Sequence, residues 1–103
     1  MADTARITVR DIRGRQYRTE SGRMEFGRGA DCKVCIPDTD KAVSTSHCVL
    51  YREEGKLYLM DLGSTNGTFL KEEERLQPNV PYRAHKGMEF FLSSRANTFV
   101  IAE

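Results

Sequence analysis

The chain is 103 residues long, the size of one domain, and such a chain buries about 65% of its unfolded surface without a metal or disulfide framework. Sixteen basic and fifteen acidic residues leave a formal charge of +1, which excludes the broad basic field of a nucleic-acid-binding surface and confines any anion site to a local cluster. No apolar run approaches the ~20 residues of a membrane span, the first six residues lack the apolar core of a secretory signal, and Cys32 and Cys35 are too close in sequence to define a disulfide scaffold, so the expectation is a cytoplasmic protein with reduced thiols.

In chain order, short β-branched or aromatic runs recur at residues 7–9, 16–18, 24–26, 34–36, 48–51, 57–60, 68–70, 80–82, 88–92 and 98–101. Turn residues separate them: Arg13-Gly14, Ser21-Gly22, Gly27 to Gly29, Pro37-Asp38, Glu54-Gly55, Asn66-Gly67, Pro78-Asn79 and Lys86-Gly87. No apolar pattern at i, i+3, i+4, i+7 lasts three turns, so the spacing predicts an all-β sandwich. Residues Lys71-Glu72-Glu73-Glu74-Arg75 are good helix formers with no apolar face, which predicts a solvated loop. There is no repeat, low-complexity segment or linker, and residues 1–103 read as a single domain.

Three separated clusters place hydroxyl, amide or guanidinium groups beside turn residues at strand ends: Gly27-Arg28-Gly29, Ser44-Thr45-Ser46-His47 and Ser64-Thr65-Asn66-Gly67. A guanidinium is a planar fork of donors that matches phosphate oxygens, and hydroxyls with turn N–H groups complete such a cage. Together the three suit a compact dianion. Asn66-Gly67 is in addition one of the strongest short turn signals.

In this order and spacing, Gly27-Arg28, Ser44-x-x-His47 and Ser64-x-Asn66-Gly67 resemble the forkhead-associated (FHA) domain. The likeness extends to residues 32–38, to the strand ending at Asp61 and to residues 86–90. It implies an eleven-stranded antiparallel β-sandwich whose loops at one end bind phosphothreonine in an extended peptide. Carried over by position, Arg28, Ser44 and Thr65 contact the phosphate and Asn66 bonds the peptide main chain. Gly27, His47 and Gly67 give the loops their shape. Thr45 departs from the pattern, because the residue after the motif serine is often Arg, Lys or Asn in the family. The implied contact on that side is a weaker one through the Thr45 hydroxyl. Lys41 and Lys71 stand in neighbouring loops. The resemblance also implies a threonine-phosphorylated protein as partner, an upstream serine/threonine kinase, and no cofactor. Nucleic acid and membrane are not expected partners, and a monomer is expected.

Other readings of the same residues are weaker. Cys32-x-x-Cys35 with His47 and Cys48 invites a zinc site, but residues 32 and 35 of a strand point to opposite faces and no second close pair follows. Ser44 or Ser46 with His47 and Asp61 invites a hydrolytic triad, yet nothing resembles a nucleophile elbow, and no enzyme is expected. The remaining alternative is a docking module on the same fold that works without phosphate.

Overall fold

The computed structural model describes residues 5–37, 39 and 41–102. Residues 1–4, Asp38, Asp40 and Glu103 lie outside the described residues, and with them the second half of the Pro37-Asp38 turn. Ten strands follow one another: β1 (Ile7–Asp11), β2 (Gln16–Thr19), β3 (Arg23–Gly27), β4 (Val34–Cys35), β5 (Cys48–Glu53), β6 (Lys56–Asp61), β7 (Thr68–Leu70), β8 (Tyr82–Arg83), β9 (Glu89–Leu92) and β10 (Thr98–Ile101). The only helical turn among the described residues is the 3₁₀ turn Arg95–Asn97.

The strands form two five-stranded sheets, in the orders β2-β1-β10-β9-β7 and β4-β3-β5-β6-β8. Period-two side-chain direction explains the layering. Along β6, Leu57, Leu59 and Asp61 are buried while Lys56 is exposed, so the apolar set faces the opposite sheet. Between the layers Phe26 of one sheet meets Phe90 and Phe99 of the other, edge to face, at centroid distances of 5.4 and 5.1 Å. Ile7, Met24, Leu50, Leu59, Leu92 and Ile101 are completely buried around them. Burying a side chain of this size stabilises the fold by about 1.5–3 kcal/mol, and this core fixes the sandwich from which the loops project.

Each of the ten apolar runs corresponds to one strand. The family resemblance implies eleven strands, and the described residues form ten. Between β7 and β8 the chain makes only the single bridges Phe69–Arg75 and Asp61–Pro78, and a proline has no N–H with which to extend a ladder. One pairing also differs from an all-antiparallel sheet: β3 and β4 run parallel, with Phe26 opposite Val34 and Gly27 opposite Cys35. Residues 71–75 form an exposed loop, with Glu73 at φ 69°.

Candidate functional site

The chain leaving β3 is bonded along its backbone to the segment that precedes β5. Arg28 N–H donates to Ser44 O (3.1 Å) and Gly29 N–H to Thr45 O (3.0 Å). Gly27 permits this approach, because a Cβ there would stand 2.2 Å from Thr45 O and 3.0 Å from Ser44 O. No larger residue fits without moving the backbone. The half-buried Arg28 side chain then donates from Nε to Val43 O, which fixes the guanidinium beside Ser44.

His47 ties this segment to the β6–β7 loop. Its ring is wholly buried, accepts the Ser44 N–H at Nδ1 (3.1 Å), and faces Gly67 O with Nε2 (2.8 Å). Since a carbonyl can only accept, Nε2 carries the proton and the ring is the neutral tautomer. Both nitrogens are therefore committed to backbone groups, and neither is left to act as a base toward Ser44 or Ser46. Gly67 has φ 93°, and a Cβ there would press to 2.6 Å from Arg75 Nε.

The β6–β7 loop is organised by Asp61. Its buried carboxylate accepts from Gly63 N–H and Ser64 N–H through Oδ2 (both 3.0 Å) and from the Ser64 and Thr68 hydroxyls through Oδ1 (2.6 and 2.7 Å). Ser64 Oγ in turn accepts the Gly67 N–H (3.0 Å). Held in this shape, the loop reaches across to the β4–β5 segment. Thr65 N–H donates to Ser44 Oγ (3.2 Å), and Asn66 Nδ2 donates to Ala42 O (2.9 Å).

Arg28, Ser44, Thr65 and Asn66 thus come together from three segments at one end of the sandwich. Ser44 Oγ accepts from the protein, so its own O–H remains to be donated. The exposed Thr65 hydroxyl has no partner among the described residues, and Asn66 keeps Oδ1 as an acceptor beside it. Thr45 stands apart: its carbonyl bonds the first segment, while its side chain is exposed, with the methyl turned toward Gly29 and no hydrogen bond from the hydroxyl among the described residues. Lys41 and Lys71 are both exposed.

Two residues important to this end were not assigned from sequence. Asp61 stands in the sequence at the end of a strand and as a candidate triad member; its role here has the signal of an Asp followed at the second and third positions by Gly63 and Ser64, the spacing of an Asx turn. Arg75 donates to Thr65 O (3.3 Å) and lies over the Phe69 ring at 5.9 Å. No sequence signal announces it.

The cysteines are free thiols, Cys32 and Cys48 buried and Cys35 exposed. Burial pushes the Cys32 and Cys48 thiols up, assisted by the Glu25 carboxylate for Cys32; for Cys48 the bond with Thr68 opposes the rise and the Asp61 carboxylate adds a smaller push upward. Both stay protonated at neutral pH. Among the described residues no three His, Cys, Asp or Glu side chains gather as a metal-binding group.

The model of the FHA domain matches residues 24–93, which include all three loop segments. The chain belongs to the FHA-domain family. Human kanadaptin is 31% identical over 106 residues, a match that covers 92% of this chain and 13% of kanadaptin. The chain therefore spans about an eighth of that relative's length. A solved FHA domain from work on phosphothreonine-dependent FHA interactions superposes with a TM-score of 0.77 at 26% identity, covering 95% of this chain and 96% of its own. The FhaA FHA domain, solved in complex with the intracellular domain of Rv3910, gives 0.75 at 27% identity over 92% and 98% of the two chains. FHA domains are protein-binding modules, and the two-layered all-β sandwich of this chain is theirs.

Proposed function

We propose that this FHA domain binds threonine-phosphorylated proteins, taking an extended phosphopeptide across the loops that carry Arg28, Ser44, Thr65 and Asn66. The observation that carries the reading is the mutual bonding of those loops, which leaves the Ser44 and Thr65 hydroxyls to donate outward beside a guanidinium anchored through Nε. Arg28 and Ser44 hold the phosphate, and Thr65 adds a hydroxyl. Asn66 Oδ1 accepts a peptide N–H next to the phosphothreonine. Thr45 stays marginal, since its hydroxyl is not drawn in by the loop contacts. The domain acts as a monomer in the cytoplasm, downstream of a serine/threonine kinase that writes the mark, and it catalyses nothing.

A phosphate carries about −1.5 to −2 charges at neutral pH, and each charge-assisted hydrogen bond contributes about 1.5–3 kcal/mol. Calorimetric titration with a phosphothreonine peptide is expected to show Arg28→Ala losing about 3 kcal/mol, roughly 150-fold in affinity. Arg28→Lys is expected to fare little better, because a single ammonium cannot hold Val43 O and grip phosphate as a fork at once. Phosphatase treatment of the peptide is expected to abolish binding to the wild type. Survival of binding after that treatment, or full affinity in either Arg28 variant, contradicts the proposal in favour of phosphate-independent docking.

A further inference from the structure

β5 leaves the loop cluster at Cys48 and ends at Glu53, and β6 returns from Lys56 to Asp61. At about 3.3 Å per residue their shared turn lies nearly 20 Å from the phosphate loops, at the other end of the sandwich. An open cleft of about 560 Å³ is found there, and Arg52, Lys56, Arg83, His85 and Lys86 line it. Among the described residues no Asp or Glu lines it, although Glu53 and Glu54 sit on the adjoining turn. Lys56, Arg83, His85 and Lys86 are exposed. The ion pairs of the described residues join Arg6 and Arg18 to Glu20, Arg23 to Glu25 and Arg95 to Glu73, and none takes in a cleft cation. Like charges gathered without counter-charges repel one another. Among the described residues, no carboxylate forms an ion pair with these cations.

The cleft also adjoins a sheet edge. β8 is the last strand of its sheet, and Ala84 N–H donates to Leu57 O (2.8 Å) while Arg83 pairs with Tyr58. In an antiparallel ladder that register turns the Arg83 N–H and C=O away from β6 and out of the sheet. An outward peptide group on an edge strand is what an extended peptide pairs with.

We propose that this cleft is a second binding site, taking an extended acidic peptide segment rich in Asp and Glu. Nucleic acid suits it less well: among the described residues no Phe, Tyr or Trp lines the cleft to stack a base, and a net charge of +1 gives no wider field to hold a phosphate backbone. Where the loop end reads phosphothreonine, a coupling that rests on the proposed function above, one partner chain can occupy both sites. The longest dimension of the molecule is 40 Å, which about a dozen extended residues cover. A partner with an acidic block at least that far from its phosphothreonine is held at two points, and the second contact becomes intramolecular.

The test titrates three probes into the domain: a short phosphothreonine peptide, an unphosphorylated Glu-rich peptide, and the two joined by a fifteen-residue Gly/Ser linker. The Glu-rich peptide alone is expected to bind weakly and to be released by raised salt. The joined probe is expected to bind about tenfold tighter than the short one. In the triple variant Lys56→Glu, Arg83→Glu, Lys86→Glu both effects vanish while the short phosphopeptide binds as before. If the short peptide fails to bind but the Glu-rich peptide does, the cleft stands and the loop reading falls. Glu-rich binding that is absent, or that persists in the triple variant, overturns the cleft. So does tighter binding of a single-stranded oligonucleotide of equal charge. Amide chemical shifts of wild-type Lys56, Arg83 and Lys86 serve as a second readout should the variant fold poorly, and no shift with the Glu-rich probe counts against the site.

Discussion

At the loop end a buried carboxylate holds the backbone and hydroxyls of its own loop while a buried imidazole and a half-buried guanidinium hold backbone groups across segments, whereas at the hairpin end a set of exposed cations faces a cleft with no ion pair among the described residues. The first arrangement is preorganised: Asp61 shapes one loop, His47 fastens it to the next, and Arg28 fastens that to β3. Its polar groups serve folding and recognition together. The second is a patch of charge on a ladder that would form equally well with other surface residues. Mutations at the two ends are therefore expected to separate stability from binding in opposite ways.

The largest effect on stability is expected at Asp61. Its carboxylate accepts four hydrogen bonds at 2% exposure, so Asp61→Ala leaves two N–H groups and two hydroxyls without their acceptor. Losses of about 1–3 kcal/mol for each unsatisfied buried group, partly relieved by water, put the cost at about 4 kcal/mol in urea unfolding. Lys56→Glu, Arg83→Glu and Lys86→Glu, each an exposed change, are expected to stay within about 0.5 kcal/mol of wild type. Equal costs at the two ends would erase the contrast.

His47→Ala is expected to come next, at about 2 kcal/mol, through the orphaned Ser44 N–H and Gly67 carbonyl. Here the informative measurement is affinity. The ring is wholly buried, yet loss of the bond between two phosphate loops is expected to weaken a phosphothreonine peptide about tenfold, roughly 1.4 kcal/mol. Unchanged affinity in a destabilised His47→Ala protein would mean that the loops hold their geometry without the imidazole.

The strands could be read from sequence because each states its own boundaries. Val34 to Ile36 and Leu57 to Met60 are apolar runs between turn residues, and the pattern needs no knowledge of what lies across the sheet. The parallel pairing of β3 with β4 could not be read this way, since it depends on where Gly27 and Cys35 end up relative to each other. At the loop end Arg28, Ser44 and Asn66 were legible through their spacing, while the carbonyls of Ala42 and Val43 that hold Asn66 and Arg28 carry no side-chain signature. Thr45 illustrates the limit in the other direction: adjacency to Ser44 implies a shared role, while the Thr45 methyl turns toward Gly29 and its hydroxyl makes no hydrogen bond among the described residues. The basic cleft was invisible for a further reason. It joins residues 52–56 to residues 83–86, and a chain-wide charge of +1 averages it away.

The smallest effect separates the two ends by pH. Cys48 begins β5 at the loop end, wholly buried, and burial drives its thiol far above the ordinary value of 9.0 against the opposing bond from Thr68, with a smaller push upward from the Asp61 carboxylate. In the unfolded chain this thiol ionises near pH 9; in the folded protein it keeps its proton well above that. The protonated thiol therefore contributes stability that is complete below pH 9 and declines above it, by about 1.4 kcal/mol for each further pH unit. Cys32, raised in the same direction by burial and Glu25, adds to the decline. Cys48→Ala leaves a small cavity and is less stable than wild type at pH 8, and the gap is expected to narrow by about 1.4 kcal/mol at pH 10 because the variant no longer carries this proton linkage. Urea unfolding at the two pH values measures it. Parallel losses in both proteins would place the alkaline sensitivity elsewhere, and the exposed cations of the hairpin end would become the next groups to remove.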